Sequence, residues 1–225
     1  LLIGAAFAAE FFFLFIALDH TTVVRASVLF YAMPLWLAMA AHFLFPGERL
    51  TPRRTLGFGL GFAAVALVLA GQATGTVSAD GSLLGDLAAL AAGLCWASIV
   101  VCARLTPLQT TQPETQLFWQ LLVSAPVLMA LAPLYGGDFV RDFDGFQLAI
   151  FLIHALGVVA AGYVFWFWLL VRYPASSVAS FSFLTPVLSA GLGWLLLGEP
   201  VSPTLPVALA LLVSGLILIN RRPKA

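Results

Sequence analysis

Long apolar runs separated by short polar breaks constrain this chain more than any other feature. Windows of about 19 residues outline eight of them: Leu1–Leu18, Ala26–Phe45, Thr55–Gly71, Leu83–Ala103, Gln116–Leu134, Phe146–Val171, Ser176–Leu197 and Leu205–Asn220. A helix needs roughly 20 apolar residues to cross about 30 Å of hydrocarbon, and each run is of that order. The breaks carry turn and loop chemistry: Asp19-His20-Thr21-Thr22, Pro46-Gly47-Glu48-Arg49, Ser78-Ala79-Asp80-Gly81, Gln112-Pro113-Glu114 and Gly136-Gly137-Asp138. Connections this short make successive helices antiparallel. Only 9% of the 225 residues are charged and 62% are hydrophobic, whereas a soluble domain carries about 25% charged residues. The fold class expected is therefore all-α, a polytopic membrane helix bundle. A soluble enzyme, a DNA-binding protein and a secreted disulfide scaffold are excluded. So is a barrel, since no ten-residue alternating segments occur.

Ten basic residues balance ten acidic ones, so no bulk attraction to nucleic acid is expected. Cys95 and Cys102 share one run, about 10 Å apart along a helix; that is too far for a disulfide, and both read as small packing residues. The basic residues set an orientation. With the loop after the second span in the cytoplasm, Arg49, Arg53, Arg54, Arg104, Arg172, Arg221, Arg222 and Lys224 lie inside, and Arg25 and Arg141 outside. That bias places both ends of the chain in the cytoplasm.

An internal repeat sharpens the reading. The second span and its exit read Val28-Leu-Phe-Tyr-Ala-Met-Pro34, then Gly47-Glu-Arg-Leu-Thr-Pro52. The seventh reads Ser180-Phe-Ser-Phe-Leu-Thr-Pro186, then Gly198-Glu-Pro-Val-Ser-Pro203. The prolines are offset by 152 positions and the Gly-Glu pairs by 151. Five spans separate the copies, and an odd interval inverts the second across the membrane. Consistently, Arg53-Arg54 in the first exit become Thr204-Leu205 in the second. Inverted repeats of this kind mark many secondary transporters. Counted back from the repeat, residues 1–71 hold three of five helices and residues 83–222 hold five. Eight spans of a natural ten are thus expected here, with two more helices upstream of Leu1, which opens inside an apolar run.

Three stretches together, in this order and spacing, resemble the EamA family of the drug/metabolite transporter superfamily. They are Arg25-Ala-Ser-Val-Leu-Phe-Tyr-Ala-Met-Pro34 with its Gly-Glu exit, Leu84-Gly-Asp-Leu-Ala-Ala-Leu-Ala-Ala-Gly-Leu-Cys-Trp-Ala97, and Pro174-Ala-Ser-Ser-Val-Ala-Ser-Phe-Ser-Phe-Leu-Thr-Pro186 with Gly193-Trp-Leu-Leu-Leu-Gly-Glu-Pro200. The resemblance implies two inverted five-helix repeats, export of metabolites, amino acids or drugs, and residence in a bacterial inner membrane. A small-molecule substrate and the lipid bilayer are the partners it implies, with a homodimer as a candidate assembly.

Pro34 and Pro186 interrupt their spans near the middle, each freeing the carbonyl four residues back, on Phe30 and Ser182. Matched breaks in the two halves point to a binding site. Glu10 reads as the one ionisable residue deep inside a span. A carboxylate there costs roughly 2.5–3.5 kcal/mol, so it should face the bundle interior, as a proton carrier or a partner for a substrate amine. Its approximate counterpart is Gly162, beside Tyr163 and Trp166, which share a helix face. Trp96, Tyr31 and Phe183 lie at similar depth, and Trp96 is flanked on its own face by Ala89, Ala92 and Gly93. Aromatic walls suit aromatic or amphipathic solutes and organic cations; packing or lipid contact is the plainer role for each ring.

Three histidines, His20, His42 and His154, show no ligand spacing, so no metal site is expected. Gly57-Phe-Gly-Leu-Gly61 lacks the strand and Lys-Ser/Thr of a phosphate loop, and Gly57 and Gly61 read as a close helix-packing face. No nucleotide motif occurs, so no cofactor is expected, and gradients would supply the energy. Two other functions compete. An intramembrane hydrolase or protease needs a nucleophile with a base, or paired acids, at membrane depth, and no such motif is present. A non-transporting membrane subunit fits the repeat poorly.

Overall fold

A computed structural model describes residues 1–45, 51–73, 82–135, 144–162, 165, 184–199 and 201–220. Among these residues every regular element is helical. The first seven helices are α1 (Leu2–His20), α2 (Val23–Phe30), α3 (Met33–Leu44), α4 (Pro52–Ala73), α5 (Leu83–Leu105), α6 (Pro113–Leu131) and α7 (Gly145–Leu152). A π-wound stretch, Ile153–Ala160, continues α7, and α8 (Thr185–Leu197) and α9 (Thr204–Asn220) complete the set. Apart from the turn at Tyr31-Ala32 and the end residues Leu1 and Phe45, each of the eight runs expected from the sequence is helical where it is described. Five stretches are long and apolar enough to cross a membrane: α1, α2 with α3, most of α4, α5, and Glu114–Leu134 at α6. The apolar helices 145–160, α8 and Thr204–Ile219 are shorter.

The second span shows how local chemistry sets local structure. It begins at Val23, three residues before the expected Ala26, because Thr22 caps it: its hydroxyl oxygen accepts the Arg25 N–H at 3.2 Å. It breaks at Tyr31-Ala32, because the ring nitrogen of Pro34 has no hydrogen to give the Phe30 carbonyl. The chain restarts as α3 with Pro34 in its first turn, where proline is tolerated. The two pieces, Val23–Leu44, make one 22-residue crossing.

The described helices divide into two units, Leu1–Leu128 with Thr185–Ala225, and Met129–Leu184. In the first, α1 packs along α5, α4 along α9, α2 and α3 against α5, and α8 against α2. Its core is built largely of alanine: Ala8, Ala17, Ala64, Ala89, Ala92, Ala97 and Ala208 are buried. Small residues let membrane helices approach closely, since lipid provides no hydrophobic force to press larger ones together. Bulky side chains such as Phe118, Trp119, Leu122, Trp194 and Leu196 instead cover the outside. In the second unit, Asp144 caps α7 by accepting the Gln147 N–H at 2.8 Å, and the apolar side chains of α7 are exposed.

The glycine face expected at Gly57 is the contact between α4 and α9. A Cβ on Gly57 would lie 2.7 Å from the Gly215 carbonyl oxygen, and one on Gly215 would lie 2.5 Å from that of Gly57. The helices therefore touch backbone to backbone. Beside this contact, Arg53 Nε donates to the Leu218 carbonyl at 3.2 Å. Gly57→Leu is expected to destabilise the bundle by about 1–3 kcal/mol through overpacking. Gly59→Leu, where an added Cβ meets nothing within 4 Å, should leave the unfolding midpoint in detergent unchanged. Equal midpoints for the two variants would refute the packing role.

Candidate functional site

One turn of α5, around residues 93–96, brings together Glu10, Trp96 and the carbonyl freed by Pro34. The helices α1 and α5 run antiparallel: Ser82, at the start of α5, donates its N–H to the carbonyl of His20, at the end of α1, at 2.8 Å. Ten residues before His20, Glu10 reaches the level of Cys95 and interacts with it electrostatically. Glu10 is 5% exposed, as expected of a mid-span carboxyl, and its Oε2 has no hydrogen-bond partner. The carbonyl freed by Pro34 points at the same turn, because the Phe30 oxygen lies 2.8 Å from where a Gly93 Cβ would sit. Gly93 thus admits the broken part of the second span directly onto α5. Ala89 and Ala92 are buried beside it, and Trp96 is half-buried.

The break also touches the seventh run. Tyr31, half-buried, and Thr185 share a side-chain hydrogen bond. Thr185 precedes Pro186, which is fully buried at the start of α8. The break before Pro34 therefore lies beside the start of α8, where Pro186 sits. Tyr163, Trp166, Ser182 and Phe183 lie outside the described residues, and Gly162, at the end of the described part of its helix, is exposed.

Buried charge is richer than expected. Arg25, read from the sequence as an outer-loop basic residue, sits inside α2 and is 5% exposed. Its partner is Asp86 in the first turn of α5, which is 0% exposed. Asp86 Oδ2 accepts Arg25 Nη2, and Oδ1 accepts Arg25 Nε at 3.2 Å and the Thr21 hydroxyl at 3.0 Å. Arg25 Nη2 also donates to the Val68 carbonyl of α4 at 2.9 Å. The pair is two-pronged and ties α2, α4 and α5 together at one end of the bundle. Glu10 is therefore not the only buried ionisable group, which corrects the sequence reading. The signal was present: Arg25 and Asp86 stand near the ends of two spans that the topology starts on the same side, with opposite charge.

Two more groups escaped sequence reasoning. Trp36, in α3, buries its Nε1 with no hydrogen-bond partner and meets Phe62 of α4 edge-on at 5.8 Å. Glu199, just after α8, accepts the N–H groups of Val23 and Val24 at 2.7 and 2.8 Å. At the far end of α5, Arg104 lies over the ring of Phe45 at 3.9 Å.

Set beside known proteins, the chain matches the EamA-like transporter family over residues 1–70 and 83–221. It is 32% identical to an uncharacterised protein of Pseudomonas aeruginosa, over 95% of this chain and 69% of that one. It is 29% identical to the aromatic amino acid exporter YddG of Ancylobacter novellus, over 95% and 72%. It is 31% identical to a riboflavin transporter of Rhizobium johnstonii, over 88% and 61%. The chain thus spans about two thirds of the length of these curated relatives. No solved structure matches it. Apolar helices fit to cross a membrane, small residues at their contacts and a family match over nearly the whole chain agree: this multi-pass membrane protein belongs to the EamA-like transporter family.

Proposed function

We propose that the chain forms the larger part of a secondary transporter that exports a small aromatic metabolite, such as an aromatic amino acid, from a bacterial inner membrane. Two inverted repeats, the remainder of the first in residues 1–71 and the second in residues 83–222, rock about a mid-bilayer site in this reading. Both chain ends face the cytoplasm. Substrate lies near Pro34 and Pro186, against Tyr31 and Trp96; in the second repeat, Tyr163, Trp166, Ser182 and Phe183 are the candidates that the sequence offers. Glu10 carries the coupling proton or receives the substrate amine.

The observation that carries the reading is Glu10 itself: a carboxyl 5% exposed, with one oxygen lacking a hydrogen-bond partner, beside the stretch of α5 that also meets the broken span. A buried acceptor left unpaired is costly, and intramembrane ionisable groups mark ion and substrate paths. The names of the Ancylobacter and Rhizobium relatives point to planar aromatic solutes. The test is flux. The full-length protein in proteoliposomes should move labelled phenylalanine, tryptophan or riboflavin faster than protein-free vesicles, and an imposed pH gradient should change the rate. Flux equal to empty vesicles for all three solutes would sink the substrate class.

A further inference from the structure

The Gly-Glu pair after the seventh run is more than a mark of the repeat. Gly198 has a φ of 65°, a left-handed turn that glycine adopts readily, and it ends α8 so that Glu199 faces α2. The Glu199 N–H donates to the Gly193 carbonyl at 3.3 Å, and its carboxylate takes both first-turn N–H groups of α2. Thr22 serves the next two donors: its hydroxyl oxygen accepts the Arg25 N–H and its carbonyl the Ala26 N–H at 2.9 Å. Three of the N–H groups that a helix start leaves orphaned, those of Val23, Val24 and Arg25, are thus satisfied, two of them by a side chain 176 and 175 residues away. The contact depends on Gly193, where an added Cβ would lie 2.6 Å from Val24 Cγ2 and 3.0 Å from the Glu199 carboxylate.

We propose that Glu199 is a gate latch: its carboxylate, docked on the first turn of α2, holds α8 against α2 and keeps this end of the bundle shut. The inference rests on the transporter reading for its purpose, though not for its geometry. Val24 is 1% exposed. Glu199 and Val23 are half-buried, and separating α8 from α2 strips two helix donors and a carboxylate of their charge-assisted bonds. Such groups then take their partners from water. The latch therefore has two conditions, docked on α2 or released and hydrated. A contact between helices distant in sequence becomes a switch for access to the Tyr31 break at the other end of α2. The neighbouring Arg25–Asp86 pair fixes α2 to α5, so release moves α8 rather than α2.

The test uses the full-length protein with Cys95 and Cys102 replaced by serine and a reporter Val28→Cys, a position 0% exposed just inside the latch. A membrane-impermeant maleimide should label the reporter slowly. With Glu199→Ala added, labelling should rise roughly tenfold, the shift expected from losing charge-assisted bonds worth about 1.4 kcal/mol. Glu199→Gln, which keeps one acceptor oxygen, should fall between. In a second variant, Val24→Cys with Gly193→Cys, oxidation should cross-link α2 to α8 and stop flux, and reduction should restore it. Equal labelling with glutamate, glutamine and alanine, or undiminished flux through the cross-linked protein, would overturn the latch. A parent that carries no solute refutes the transporter reading instead, and the labelling comparison still decides the latch.

Discussion

Asp86→Ala will leave the Arg25 guanidinium buried without its counter-ion, and the bundle should lose about 3–5 kcal/mol, the usual consequence of removing one partner from a buried pair. Three hydrogen bonds vanish together: from Arg25 Nε, from Arg25 Nη2 and from the Thr21 hydroxyl. The Val68 carbonyl remains, but one neutral acceptor does not balance a cation from which solvent is excluded. Arg25→Met alone should be nearly as harmful, because it strands the carboxylate, with only Thr21 left to serve it. The double variant Arg25→Met with Asp86→Leu should recover most of the loss, since apolar replacement of a whole buried pair is often close to neutral. Unfolding midpoints in detergent, compared around this cycle, decide the matter. A loss below about 1 kcal/mol for Asp86→Ala, the scale of an exposed pair, would show that water reaches the pair and that it does not tie the helices.

Glu10→Gln should abolish pH-driven accumulation while leaving the protein folded. Glutamine keeps the size and the acceptor oxygen of the carboxyl but cannot give or take its proton. If one proton moves with each solute, a gradient of one pH unit drives about a tenfold accumulation. The variant should show none, yet still exchange labelled for unlabelled solute across the vesicle wall. Its unfolding midpoint should hold or rise, because no ion pair or hydrogen bond at Glu10 Oε2 is lost. Gradient-driven accumulation by the glutamine variant equal to that of the parent would end the proton-carrier role. Loss of exchange together with accumulation would move Glu10 from proton carriage to substrate binding.

What the sequence reveals about this bundle divides along a physical line. Features that depend on a few neighbouring residues were legible. The apolar runs announce their helices, Pro34 announces the break at Tyr31-Ala32, and Gly57 announces a face of close approach. A carboxyl surrounded by Phe11, Phe12 and Phe13 in sequence had to turn inward, and Glu10 does. Features that depend on two distant segments meeting were not legible. Arg25 looks like a loop charge until Asp86, 61 positions later, arrives beside it. Glu199 looks like part of a turn until the first turn of α2 lies opposite. Gly57 showed that something must pack closely, but not that its partner would be Gly215. The boundary of the second span was misjudged for a related reason: hydropathy alone pushes a charged residue such as Arg25 out of the span, whereas an ion pair keeps it in.

The break in the second span has a consequence for charge at mid-membrane. It leaves a helix of eight residues and one of twelve, about 12 and 18 Å long, meeting end to end at Tyr31-Ala32. The aligned peptides of α2 end there in a partial negative charge, and those of α3 begin there in a partial positive one. If the proposed transport site lies at this break, a solute carrying both an ammonium and a carboxylate would meet complementary ends on the backbone alone. Such a meeting point survives any substitution that keeps the break, so side chains around it are free to set which ring is accepted without first having to neutralise the solute's charges.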